Sequence, residues 1–196
     1  MYLRTDEEAE VADAIEMAVG FSDGLEANPH LWRWVIIALH NAVQGSMVLS
    51  LRHGNGLLAL TKECYEKWMS AYENHTPYPQ DELDRYLNLY KKVKHSETGQ
   101  AGGNQCFKPR GTEGKNIKRL NSLRNEFIHF TPKGWSLEID GLPRLCIDCS
   151  RLISFLGWET QNVHWHSESS QTAVKAAHAK FVVAMQRLEG HYAKVG

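Results

Sequence analysis

The chain has 196 residues, 42% hydrophobic and 23% charged, with six Trp, seven Tyr and six Phe. This is enough to build one domain around a real core, and it excludes general disorder. A formal net charge of -1 excludes the strongly basic surface of a protein that wraps a long duplex, so any nucleic-acid contact has to be local.

The start, MYLRTDEEAE, is acidic and has no apolar run, so no signal peptide is expected. Residues 6–19 place Ala9, Ala12, Ile15 and Val19 at helical spacing, and GFSDG stops that helix. Residues 1–28 are expected to stand apart as an N-terminal helix, ahead of a bundle over 29–196. A long helix follows the turn-favouring NPH, over about 31–52. Val35, Leu39, Ala42, Val43 and Met47 form its buried stripe, with Trp32 and Ile36 beside it. Its longest apolar run, WVIIAL, stops at His40, so no membrane span is expected. HGNG at 53–56 is stop chemistry. A third helix is expected over about 57–73, closed by NHTPYP, and a fourth over 81–93.

The stretch 95–114 contains five glycines and one proline and reads as a long, mobile loop. A fifth helix spans about 115–130 and ends at Thr131–Pro132 and Gly134. WSLEID reads as a short extended piece. Pro143 opens a sixth helix to about Trp158, and a last one covers about 169–192. The sum is an all-α bundle of six to seven helices with a long Gly-rich loop. Four scattered cysteines (Cys64, Cys106, Cys146, Cys149) do not make a disulfide scaffold and suit a cytoplasmic protein.

The fifth helix carries the informative residues. Within KRLNSLRNEFIHFTPKGW, at about 100° per residue, Leu120, Leu123, Phe127 and Phe130 share one face. Lys118, Asn121, Ser122, Asn125 and His129 share the other. Asn125 and His129 are four apart and therefore neighbours. Arg124 lies on the flank beside Ile117 and Ile128, about 140° from His129. A second copy crossing on a two-fold axis would bring the two groups to one spot, with Ile117 and Ile128 as apolar contacts. Lys108, Arg110, Lys115, Lys118, Arg119 and Arg124 are opposed only by Glu113 between positions 108 and 124. Read without any family, the same residues suit a structural role: Arg124 paired with Glu126 or Asp84, and His129 capping the helix end.

Arg124, Asn125 and His129, with four residues between Arg and His on a late helix of an all-α bundle, resemble the signature of the HEPN domains (higher eukaryotes and prokaryotes nucleotide-binding). The resemblance takes in the motif and the bundle from about Leu31 to Trp158, but not residues 1–28 or the last helix. It implies an endoribonuclease that needs no metal or other cofactor, with its site in the cleft of a homodimer. It also implies a toxin or defence role, with a cognate antitoxin or nucleotidyltransferase protein as partner. Some members of that family have lost catalysis and only bind.

The chemistry suits these residue types. Cleavage of RNA takes a proton from the 2′-OH and gives one to the leaving 5′-oxygen, and imidazole can do either near neutral pH. A guanidinium stays charged and can hold the non-bridging oxygens with two parallel hydrogen bonds. His129 is therefore assigned as general acid/base, Arg124 as phosphate ligand and Asn125 as positioning residue. Lys115, Lys118, Arg119 and Asn121 are assigned as RNA contacts. CIDC (146–149) reads as buried small residues rather than half a zinc site, and HWH (164–166) lacks a third ligand. LHNAVQGS (39–46) lacks the Lys of a phosphotransfer helix, so His40 and Gln44 read as a polar strip at an interface. HGNG follows no strand and is not a phosphate loop.

Overall fold

A computed structural model describes residues 2, 5–52, 55–95, 105–129 and 134–195. The described residues form an all-α bundle of seven helices. Helix α1 (Glu7–Ser22) starts at Asp6, whose side chain accepts from the amides of Glu8 and Ala9. Glu7, Glu8 and Glu10 in its first turn face the positive end of the helix. A 3-10 turn, Pro29–Leu31, then leads into α2 (Trp32–Leu51).

Helix α2 is the centre of the bundle. Trp32, Val35, Ile36, Leu39, Ala42, Val43 and Met47 are all buried, as the spacing predicts. By length and composition the segment Pro29–Leu51 could cross a bilayer, its most apolar 18-residue window having a mean hydropathy of 1.4, but 67% of that window is buried inside the bundle. That is the mark of a helix whose neighbours cover it on most sides. Val11, Ile15 and Ala18 of α1 belong to the same core cluster as α2. The contact is close: a methyl group on Gly45 would stand 2.6 Å from Val11 Cγ2.

The expected third helix is divided. Leu57–Ala59 is a separate 3-10 turn, and α3 (Lys62–Asn74) begins only after Thr61, which caps it by accepting from the Cys64 amide. Between them Leu60 is extended and forms an isolated antiparallel bridge with Leu83. The same bridge delays α4 (Tyr86–Lys94), five residues later than its pattern suggests, because Leu83 is held in extended backbone. His75, at φ 52, ends α3 in the left-handed conformation.

Helix α5 (Glu113–Ile128) begins two residues before its predicted start, and packs against α2, α4 and α6 (Leu142–Ser154). A π turn, Phe155–Glu159, follows α6. WSLEID is irregular rather than a strand, with Leu137 and Ile139 half-buried against the core. The last helix, α7 (Glu168–Val195), packs on α1 and α6, and its Tyr192 hydroxyl accepts from Trp32 Nε1 at 3.1 Å. Of the glycine-rich loop, 96–104 lie outside the described residues, as does Phe130.

Candidate functional site

Two faces meet where α5 crosses α2. From α2 come Arg33, His40, Asn41 and Gln44, and from α5 come Asn121, Arg124, Asn125 and His129. Leu120 and Leu123 turn inward as expected, and Phe127 is half-buried against them.

Asn121, expected to contact RNA, is half-buried, and its side-chain oxygen is engaged within the bundle. His40, only 2% exposed, bonds through Nε2 to Asn121 Oδ1 at 3.2 Å. The imidazole also stacks on Tyr86, with centroids 4.2 Å apart. Burial pushes the His40 imidazolium down from its ordinary 6.5 to about 4, the bond to Asn121 opposes this, and the Arg124 charge adds to it. His40 is therefore neutral at pH 7, and the Nε2 proton is the one donated to Asn121. The α2–α5 contact is held by a neutral polar pair that commits the Asn121 oxygen to the interior.

Ile117 also departs from expectation. It is fully buried within the chain, and Ile128 is half-buried, so Ile117 cannot serve as an apolar contact for a second copy. The reason is the position of α5: flanked by α2, α4 and α6, it buries a wider arc than the leucine stripe alone.

Arg124 is half-buried. Its Nη1 donates to Asn125 Oδ1 at 3.1 Å, and its Nε is buried without a hydrogen-bond partner among the described residues. The guanidinium lines a groove of about 830 Å³ between α1 and α2. The α2 wall contributes Trp34, Asn41 and Gln44, and the α1 wall contributes the carboxylates of Asp6, Glu7, Glu10 and Asp13. Asp84, one of the two acids considered for Arg124, is instead taken by Lys92 at 2.7 Å and by Asn88.

His129 is the residue just past the helix. Its amide bonds back to the Asn125 carbonyl at 3.0 Å, and its side chain is exposed. Arg33, from α2, donates to the Phe127 carbonyl at 2.9 Å, satisfying one of the last acceptors of α5. The site residues are thus joined in part. Arg124 is bonded to Asn125 and lines the groove, whereas His129 stands at the helix end. Lys115 and Lys118 are exposed and Arg119 is half-buried.

Arg33 and the Asn121 partner His40 are the members that the residue pattern did not assign to the site. For His40 the signal was its four-residue spacing to Gln44, which marks a polar strip within an otherwise apolar helix. Cys146 and Cys149 are buried in α6, and burial raises both thiols. In HWH, the His166 amide donates to Glu8 at 2.6 Å and Trp165 Nε1 to the Gly157 carbonyl at 2.7 Å, pinning this segment between α1 and the π turn. Among the described residues no group of three or more His, Cys, Asp or Glu could hold a metal ion.

The fold and these groups define the chain as an all-α bundle with a polar seam between two of its helices. No protein family, no curated protein and no solved structure matches the chain.

Proposed function

We propose that the protein is a HEPN-type endoribonuclease that acts without a metal on single-stranded RNA, as a cytoplasmic homodimer. The observation that carries this reading is the division of labour on α5. A guanidinium held by Asn125 opens on a groove, and an exposed imidazole stands five residues later. In one protomer these groups lie about 140° apart around the helix, so a two-fold partner is needed to complete the cleft.

In the proposed reaction the 2′-oxygen attacks phosphorus as one His129 removes its proton. The P–O5′ bond breaks, and the second His129 protonates the leaving oxygen. Arg124 binds the non-bridging oxygens as their charge builds, with its amide neighbour fixing the guanidinium plane. The products are a 2′,3′-cyclic phosphate and a 5′-OH, and DNA is not cut because it lacks the attacking hydroxyl. A toxin or defence role, opposed by a cognate antitoxin or a nucleotidyltransferase protein, is consistent with such an activity.

The test is cleavage of single-stranded RNA by the unaltered protein and by His129→Ala, with folding followed by circular dichroism. Loss of at least a hundredfold in rate with unchanged helicity supports the reading. Cleavage that survives the substitution overturns it. A second reading is a catalytically silent module of the same fold that binds a partner protein. It is favoured by the acidic side of the groove, where Glu7 is already paired with Arg52 and Asp6 caps α1, while Glu10 and Asp13 repel a phosphate backbone and attract a basic surface.

A further inference from the structure

A second pocket lies on α5, near its other end. It measures about 430 Å³ and is lined by Tyr90 and Lys94 of α4, Pro109, and Gly114, Lys115 and Lys118 of α5. No acid lines it. None of the three ammonium groups pairs with a carboxylate among the described residues, and Lys94 Nζ rests over the Tyr90 ring at 4.7 Å.

Two features show what the pocket is built to receive. Thr112, at the start of α5, does not cap the helix, because its hydroxyl donates inward to Asp148. The first-turn amides are left without a side-chain acceptor at the positive end of the helix. Independently, Tyr90 is only 2% exposed, and its hydroxyl is buried without a hydrogen-bond partner among the described residues. That hydroxyl points at the first turn: a methyl group on Gly114 would stand 3.6 Å from it. Glu113, in the first turn of α5, is already committed to Arg151 Nε at 2.8 Å and to the Arg110 amide at 2.7 Å. Burial pushes the Tyr90 phenol up to about 12, so its hydroxyl remains a donor. Three cations, one donor hydroxyl and an uncapped helix start suit a tetrahedral anion with several acceptor oxygens.

We infer that this pocket binds a backbone phosphodiester of single-stranded RNA at a distance from the cleavage centre. The ligand rests on the nuclease reading, whereas the anion site rests on its own geometry. Eleven residues separate Lys118 from His129, about 16 Å along the axis and about 20° around it, so both lie on one face of α5. A strand laid along that face meets the lysines first and the imidazole a few nucleotides later. The exposed Ser122 and the half-buried Asn125 lie between them.

The experiment measures fluorescence anisotropy of a labelled single-stranded 2′-O-methyl oligonucleotide, which cannot be cut, over a salt series. The unaltered protein is compared with Lys115→Ala/Lys118→Ala and with Tyr90→Phe. The double variant is expected to bind roughly tenfold or more weakly near 0.1 M salt, with the slope of log K against log salt reduced by about 1.4. Tyr90→Phe is expected to bind about three- to tenfold more weakly with the slope and melting temperature retained. A hydroxyl with only a structural role would change the melting temperature and leave affinity alone, and that result overturns the assignment. Unchanged affinity and slope in both variants, with cleavage intact, overturns the pocket and leaves the nuclease standing. Binding that falls as expected in a protein that never cleaves upholds the pocket and removes the nuclease.

Discussion

His40 gives the most quantitative prediction, because a buried neutral imidazole makes stability depend on pH in a window that few other groups occupy. In the folded protein it holds its proton only below about pH 4, against 6.5 ordinarily. Between those values the unfolded chain binds a proton that the folded one refuses, so stability falls as the pH is lowered through this range. Above pH 6.5 neither state is protonated there, and the group contributes no pH dependence. A gap of about 2.5 in pKa, at about 1.4 kcal/mol each, predicts a loss of about 3 kcal/mol between pH 6.5 and 4.

The perturbation is His40→Phe, which keeps a ring against Tyr86 but cannot titrate or bond Asn121. Near pH 7 the variant loses one hydrogen bond and leaves the Asn121 oxygen unpartnered, costing about 1.5 kcal/mol. On lowering the pH the unaltered protein gives up about 1.4 kcal/mol per unit more than the variant. The two stabilities then cross at about pH 5.5, and the variant is the more stable below it. Urea unfolding followed by circular dichroism at several pH values from 7.5 to 4.5 measures the difference directly. Carboxylate titrations are common to both proteins and cancel. Parallel curves with no crossing would refute the reasoning, since they would mean that His40 charges as readily inside the bundle as outside it.

Two further predictions concern packing and charge. Gly45→Ala places a methyl group 2.6 Å from Val11 Cγ2 and is expected to cost about 1–3 kcal/mol. That lowers the melting temperature by roughly 3–10 °C in a chain of this size, and adding Val11→Ala should recover part of it. Asp84 is buried, which alone would raise its carboxyl, but bonds to Lys92, Asn88 and the Arg85 amide outweigh this and hold it below its ordinary 3.8. Its stabilising effect is therefore present above that value and lost as the pH falls through the lowered one. Asp84→Asn should cost stability at pH 7 and have less effect at pH 2–3, measured by thermal unfolding at both.

The bundle was legible in the sequence where a helix has one periodic apolar face and a chemical stop. Helix α2 is the clearest case: each residue of its predicted stripe is buried, and the run ends next to HGNG. Boundaries failed where a long-range contact overrode a local pattern. Leu57–Glu73 and Asp81–Val93 both read as unbroken helices, yet Leu60 and Leu83 pair with each other in extended backbone. No periodicity within either segment encodes a bridge between them. WSLEID erred the other way, since alternation alone does not supply a neighbouring strand.

The polar residues of α5 were legible as a set, but their directions were not. A helical wheel sorts residues by angle and assumes one buried side. In the bundle α5 has neighbours on several sides, so Ile117 is buried and the half-buried Asn121 turns its side-chain oxygen to α2. Asn121 could do so because α2 supplies a partner, His40, which burial keeps neutral beside the Arg124 charge. A charged imidazole there would face a guanidinium across a low-dielectric contact, at a cost that the amide bond does not repay. The same neutral pair fixes the roll of α5 about its axis. That roll sets Arg124 toward the α1–α2 groove and leaves Lys115, Lys118 and His129 exposed along the helix. Loosening the pair by His40→Phe should therefore weaken any RNA contact along this face without touching a residue that makes one. The binding loss should track the pH dependence of α5 anchoring, whereas a surface lysine substitution would change the salt slope instead.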